Sequence, residues 1–70
     1  MIPLTLANIG EENTVKRIGG SDEVKHHLES LGFTVGAVVC VLSSLSGDVI
    51  VNIKESRVAI GKDMAAKIMI

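Results

Sequence analysis

Aromatic side chains are almost absent from this sequence: Phe33 is the only one among 70 residues, and there is no Trp or Tyr. Single-stranded nucleic acids are held by bases that stack on aromatic rings, and proline-rich peptides bind in aromatic-lined grooves. Basic residues are not in excess either, since seven Lys and Arg stand against eight Asp and Glu, which gives a net charge of −1. We therefore expect no nucleic-acid partner.

Cysteine and long apolar runs are equally scarce. Cys40 is the only cysteine, which excludes an internal disulfide and suits a reducing compartment. No apolar run approaches the roughly 18 residues that a membrane-spanning helix needs, and the first residues lack the basic and apolar segments of a signal peptide. We expect a soluble protein that does not insert into a membrane.

The material for a small core is present, because 47% of the residues are hydrophobic. At this length we expect one domain, 1–70, with a thin margin of stability and little room for a walled catalytic cleft. No set of nucleophile, base and orienting group is recognisable in the sequence, and the glycines do not match a phosphate-binding loop. The sequence therefore indicates a binding module and no enzyme.

One helix is predicted over residues 21–32, SDEVKHHLESLG. Ser21 is a preferred N-cap residue, and two acidic residues follow it at the positive end of the helix dipole. Val24, Leu28 and Leu31 recur at helical spacing and form a single apolar stripe. Gly32 suits the left-handed position that ends a helix, and Phe33 can then fold back over the stripe.

The remaining pattern predicts short strands with tight turns. Alternation or β-branched content indicates five of them, at residues 13–20, 37–44, 49–54, 57–61 and 67–70. Val49, Val51 and Ile53 share one face of the third strand, and Ile68 and Ile70 share one face of the fifth. Residues 45–48 form a turn, residues 62–67 a helical turn, and residues 2–10 a short strand or turn packed on the core. With one helix inserted after the first strand, the chain is predicted to be mainly β, a small and partly open five-stranded barrel.

Cys40 lies in the apolar run AVVCVL, which has the composition of a strand buried on both faces. Free cysteine is among the most buried residue types, and burial raises the pKa of a thiol and blocks access to it. We therefore expect Cys40 to be a core residue. Alternation along the strand leaves open that Cys40 points outward near the sheet edge.

Glu23, His26 and His27 are the candidate metal ligands, because iron and zinc favour imidazole and carboxylate groups. Adjacent helical residues diverge by about 100°, so the two histidines do not readily share one ion. Glu23 with either histidine, or Glu29 with His26, has usable spacing. Two ligands fall short of a stable site unless a second copy supplies the rest, and the alternative is that both histidines are simply polar surface residues.

The order of elements resembles the FeoA family of ferrous iron transport proteins. The resemblance runs through PLTLANIGEENTVKRIGG, HLESLGFTVGAVVCVL, SGDVIVNIKESRVAIGKDMA and AKIMI, and its most telling part is HLESLGFTVGAVV between helix and second strand. It departs from the family at three points: His27 and Gly61 stand where arginines are frequent, and the loop FTVG lacks a proline. If those arginines contact a partner, this chain does so differently.

The resemblance implies an SH3-like barrel and a cytoplasmic role in ferrous iron uptake. The implied partner is FeoB, a membrane transporter with a cytoplasmic G-protein domain, on which the chain would act as an interaction and regulatory module. No resident cofactor is implied. The candidate contact surface joins the exposed side of the helix to the tip of the following hairpin, SSLSGD; its residues are Lys25, His26, Glu29, Ser44, Leu45 and Ser46.

Two other functions stay open at this point. One is a small protein that binds or senses a divalent ion, iron or zinc, through the helix residues named above. The other is a homo-oligomer that pairs through strand edges, because small open barrels leave edges unpaired.

Overall fold

The computed structural model describes all 70 residues, Met1–Ile70. Six strands, two α-helices and a short 3-10 helix follow one another, and most are short. In chain order they are the 3-10 helix Leu4–Leu6, β1 Glu12–Thr14, β2 Arg17–Ile18, α1 Asp22–Ser30, β3 Val38–Leu45, β4 Asp48–Ile53, β5 Ser56–Gly61, α2 Lys62–Ala65 and β6 Ile68–Met69.

The strands form two antiparallel sheets that do not close into one continuous barrel. A four-stranded sheet has the order β1-β3-β4-β5, and a two-stranded sheet pairs β2 with β6. The mainly β, partly open architecture predicted from the sequence is therefore confirmed. The number of strands is six and not five, because the first predicted strand is divided.

That division falls at Val15 and Lys16, inside the predicted strand 13–20. The Val15 N–H donates to the carbonyl of Ala37, beside β3, whereas the Lys16 N–H donates to the carbonyl of Met69, in β6. The chain thus leaves one sheet and enters the other within two residues. Val15 is buried at this corner, which keeps the two sheets packed on a common core.

Helix α1 begins and ends where its capping residues predict. The Ser21 Oγ accepts a hydrogen bond from the Val24 N–H at 3.3 Å. At the other end Gly32 has a φ of +103°, its N–H donates to the Glu29 carbonyl, and the Phe33 N–H donates to the Leu28 carbonyl. This pair of bonds is the Schellman arrangement, which satisfies carbonyls that the last helical turn leaves without partners.

The core consists of 13 buried residues, all apolar. Phe33 and Leu28 at the end of α1 are fully buried, as expected from the apolar stripe. The sheets, α2 and the 3-10 helix supply the rest: Leu4, Val15, Val39, Val41, Val49, Val51, Ile53, Ile60, Ala65, Ile68 and Ile70. The predicted inward face of β4 and the inward pair at the C-terminus are among them and are confirmed.

Strand β3 does not have two buried faces. Val39 and Val41 are buried, while Val38 is 49% exposed and Cys40 is only half-buried. The prediction that Cys40 belongs to the core is therefore wrong, and the outward orientation left open by the alternation is the one observed. The unbroken apolar run concealed an ordinary alternating strand, because its outward positions also carry small apolar side chains.

The N-terminal residues form the short 3-10 helix and pair with the C-terminal end of the chain. These residues were predicted to pack on the core. Leu4 is buried, but Ile2, Leu6 and Ile9 are exposed, so the prediction is wrong for most of the apolar residues before β1. Ile2 and Ile70 exchange backbone hydrogen bonds at 3.0 and 2.8 Å, which joins the two ends of the chain.

Candidate functional site

The tip of the β3–β4 hairpin presents an apolar side chain to solvent. Leu45 ends β3 opposite Asp48, which begins β4, and Ser46 and Gly47 form the two-residue connection. Gly47 has a φ of +89°, a conformation that glycine adopts without steric cost. Leu45 is 62% exposed, which gives the tip an apolar contact point.

A bulge lies between the base of this hairpin and its tip. Val41 is opposite Val51, but Ser43, and not Leu42, is opposite Ile50, so β3 carries one extra residue. Bulges bend and twist the strand that contains them. Beyond the bulge, Leu45 is in register with Asp48 and lies on the side of the sheet away from the core.

Backbone hydrogen bonds hold the tip in place. The Lys62 N–H donates to the Gly47 carbonyl at 3.2 Å, and Asp48 is paired with Gly61 at the end of β5. The tip is therefore fixed to the start of α2 and does not project as an isolated loop. An apolar side chain on a positioned backbone loses less conformational entropy on binding than one on a mobile loop.

The second predicted contact surface is the outer side of α1. His26 and Glu29 are exposed, with 82% and 55% of their side chains accessible, and Lys25 is half-exposed. The His26 Nδ1 atom lies 4.0 Å from the Glu29 Oε2 atom, one helical turn along. This surface is polar, carries charges of both signs and faces solvent.

The C-terminal end of α1 lies beside the base of the hairpin and not beside its tip. The C-terminal end of α1 lies against Ile53, since a Cβ added at Gly32 would be 3.6 Å from the Ile53 Cδ1 atom. Ile53 and the tip residue Asp48 are at opposite ends of β4, about 17 Å apart at the rise of a β-strand. The C-terminal end of α1 is therefore separated from the hairpin tip by the length of β4.

The candidate metal ligands all lie on α1 and do not converge. His26 is within 4.0 Å of Glu29, whereas no ion pair is formed by Glu23 or His27. No group of three or more His, Cys, Asp or Glu side chains is close enough together to hold a metal ion. The pair His26 and Glu29 could supply two ligands at most, and further ligands would have to come from water or a second molecule.

Cys40 lines a shallow pocket on the outer side of the four-stranded sheet. The pocket has a volume of about 120 Å³, and the residues around it are Glu12, Val38, Val39, Cys40, Asn52 and Lys54. The Cys40 Sγ atom is 3.9 Å from the carbonyl of Val41 and has no acid, base or second cysteine as a hydrogen-bond partner. Sequence reasoning missed the polar neighbours of Cys40, because they come together only through the register of β1, β3 and β4.

No helix of this chain is long and apolar enough to cross a membrane.

Comparison with known proteins gives matches over almost the whole chain. The family model for the FeoA domain matches residues 2–70. A protein of Methanocaldococcus jannaschii that carries the provisional name Fe(2+) transport protein A is 39% identical over 70 residues, which is 100% of this chain and 85% of that protein.

Solved structures with similar folds point in the same direction. The crystal structure of an iron uptake regulatory protein, FeoA, is 34% identical with a TM-score of 0.87 and covers 96% of this chain and 89% of its own. Stenotrophomonas maltophilia FeoA, described as an SH3 domain protein and crystallised with zinc, has a TM-score of 0.84 over 99% of this chain and 88% of its own. At 17% identity, the second structure supports the SH3-like fold alone.

Proposed function

The chain belongs to the FeoA family, and we propose that it is an accessory protein of ferrous iron transport that binds a FeoB-type membrane transporter on the cytoplasmic side and regulates it. The observation that carries this proposal is the match over residues 2–70, together with 39% identity to a protein named for Fe(2+) transport. In this proposal the chain acts by contact and not by catalysis.

The hairpin tip is the proposed contact. Leu45 is exposed, has Ser44 and Ser46 as its chain neighbours, and lies in a tip that is fixed by the hydrogen bond from the Lys62 N–H to the Gly47 carbonyl. Burial of this side chain against a partner would remove apolar surface from water at little cost in ordering the tip. The α1 surface with Lys25, His26 and Glu29 is a separate candidate area for a second contact.

The test is a calorimetric titration of the chain with the purified cytoplasmic region of a FeoB-type transporter from the same genome. We expect binding in the micromolar range and a loss of at least about tenfold in affinity, or 1.4 kcal/mol, for Leu45→Asp. Val35→Asp is a matched control, because Val35 is 69% exposed and lies in the loop at the opposite end of β3.

Three results would count against the proposal in different ways. Absence of binding by the unmodified chain at 1 mM, about the weakest affinity of a specific contact, would reject the function itself. Unchanged affinity with Leu45→Asp would reject the tip as the contact. A loss with His26→Ala or Glu29→Ala, but not with Leu45→Asp, would transfer the contact to α1. GTP hydrolysis by the same region, measured with and without the chain, tests the regulatory part.

Binding of a divalent ion is a second candidate function, and the pair His26 and Glu29 is the observation that favours it. An imidazole and a carboxylate one helical turn apart are two of the four ligands that zinc usually takes, and a FeoA of another organism was crystallised with zinc. Calorimetry with Zn²⁺ and Fe²⁺ would decide it. Binding weaker than about 10 µM, or binding unaffected by both His26→Ala and His27→Ala, would reject a site on this helix.

A further inference from the structure

A row of four side chains crosses the outer face of the four-stranded sheet. Glu12 of β1 is directly opposite Cys40 of β3, Cys40 is opposite Asn52 of β4, and Asn52 is opposite Arg57 of β5. Directly opposite residues of antiparallel strands point to the same face. The valines on either side of Cys40 are buried, so the row faces away from the core.

The two ends of this row carry opposite charges. Glu12 is at the β1 edge and Arg57 at the β5 edge, and both are exposed. Neither makes an ion pair within the chain, in which the contact of His26 with Glu29 is the one basic–acidic side-chain pair within 4.0 Å. Between the ends, Val38 is 49% exposed and Ile50 half-buried, and Lys54 lines the pocket beside Cys40 and Asn52.

We propose that this outer face is the interface of a weak homodimer, in which Glu12 of each copy pairs with Arg57 of the other. A two-fold axis parallel to the strands, between β3 and β4, turns the face onto itself and exchanges the β1 edge with the β5 edge. The face is thus complementary to itself, as a two-fold interface requires. The other two-fold axis in the plane, perpendicular to the strands, would place Glu12 on Glu12 and Arg57 on Arg57.

The face is small for a protein–protein interface. Four strands spaced at about 4.8 Å and about six residues long cover roughly 400 Å² in each copy. A stable interface buries about 800 Å² per partner, and exposed ion pairs add little. The dimer is therefore transient, with a dissociation constant on the order of 0.1 mM, and weakens as salt screens the charges.

Sedimentation velocity across a concentration series of roughly 10 µM to 1 mM tests the dimer. We expect Glu12→Arg and Arg57→Glu, each alone, to weaken self-association at least about tenfold, because each puts like charges face to face. The double variant Glu12→Arg with Arg57→Glu should restore it. Both residues are exposed, so circular dichroism should show the fold unchanged in every variant.

Several outcomes would overturn the proposal. A monomer throughout the series would reject self-association. A dimer that tolerates Glu12→Arg would place the contact elsewhere, for example at the unpaired outer edge of β5, where backbone pairing does not involve Glu12. Failure of the double variant to recover would show that the single changes act through something other than this pair.

Cys40 gives an independent measure of the same geometry. Stacked sheets lie about 10 Å apart, and Cys40 of the two copies would be offset by one strand, which places their Cα atoms about 11 Å apart. That distance exceeds the roughly 7 Å limit for a disulfide but is within reach of a short bismaleimide. We expect cross-linking by bismaleimide, reduced in Glu12→Arg, and no rapid disulfide under mild oxidation. A rapid disulfide would contradict this arrangement.

Discussion

Apolar side chains are buried at one end of the β3–β4 hairpin and exposed at the other. At the base, Ile53 is 1% exposed and packs beside the end of α1, where Phe33 is 0% exposed. At the tip, Leu45 is 62% exposed although its backbone is just as well hydrogen-bonded. Apolar burial at the base therefore contributes to the free energy of folding, whereas the tip is ordered without contributing apolar burial. Changes at the base should alter stability, and changes at the tip should alter binding.

The largest expected effect is at the base, with Phe33→Ala. Removing a fully buried phenylalanine leaves a cavity and costs about 3–5 kcal/mol. The free energy of unfolding of a small domain is often only about 5 kcal/mol, so the variant should be largely unfolded on mild heating. Chemical denaturation followed by circular dichroism measures the change. Val35→Ala, two residues along the chain and exposed, should change the unfolding free energy by less than about 0.5 kcal/mol.

A smaller loss is expected for Gly32→Ala, also at the base. Gly32 has a φ of +103°, where an alanine is strained by about 1–2 kcal/mol, while the added methyl group would meet Ile53 only at ordinary contact distance. Gly61→Ala is the matched control, because Gly61 has a φ of −67° and an added Cβ would meet only the Gly47 carbonyl oxygen, at 4.0 Å. Equal denaturation midpoints for the two variants would contradict the strain argument.

Ser21→Ala should cost about 1 kcal/mol, because it removes the side chain that caps the first turn of α1. The same denaturation experiment measures it. Ser21→Asp should restore most of the lost stability, since aspartate caps as well as serine does. A failure of aspartate to restore stability would indicate that Ser21 acts through something other than the bond to Val24.

The smallest effect on folding is expected at the tip. Leu45→Ser should change the free energy of unfolding by less than about 0.5 kcal/mol, because the side chain is mostly in solvent in both states. Its thermal unfolding should therefore match that of the unmodified chain. A loss of more than about 1 kcal/mol would mean that Leu45 packs on the fold, and the distinction between base and tip would fail.

Local signals in the sequence predicted the elements that depend on neighbouring residues. Ser21 and Gly32 mark the two ends of α1, because an N-cap residue and a residue in the left-handed conformation each act within four residues of themselves. The alternation of β4 likewise predicted which of its side chains are buried. Exposure of Leu45 followed from its position beside a turn.

Other features depend on partners distant in the sequence and were missed. The division of the first strand arises because Val15 bonds to Ala37 and Lys16 to Met69, and no pattern within residues 13–20 records this. The outward orientation of Cys40 was hidden because apolar residues occupy both faces of β3. For the candidate site, the sequence indicated that His26, Glu29 and Leu45 are exposed, but not that the C-terminal end of α1 lies at the base of the hairpin.

The bulge in β3 has a consequence for how this hairpin tolerates mutation. Val39 and Val41 point to the core, and an uninterrupted alternation would direct Leu45 to the same side. The extra residue inverts the alternation of inward and outward side chains beyond it, so that Leu45 lies on the outer side of the sheet with its partner Asp48. The side of the sheet to which Leu45 points is thus determined by the number of residues in β3 and not by their type. A one-residue deletion at Leu42 would direct the tip side chains to the opposite side of the sheet. A substitution at Leu42 leaves the number of residues, and therefore this orientation, unchanged.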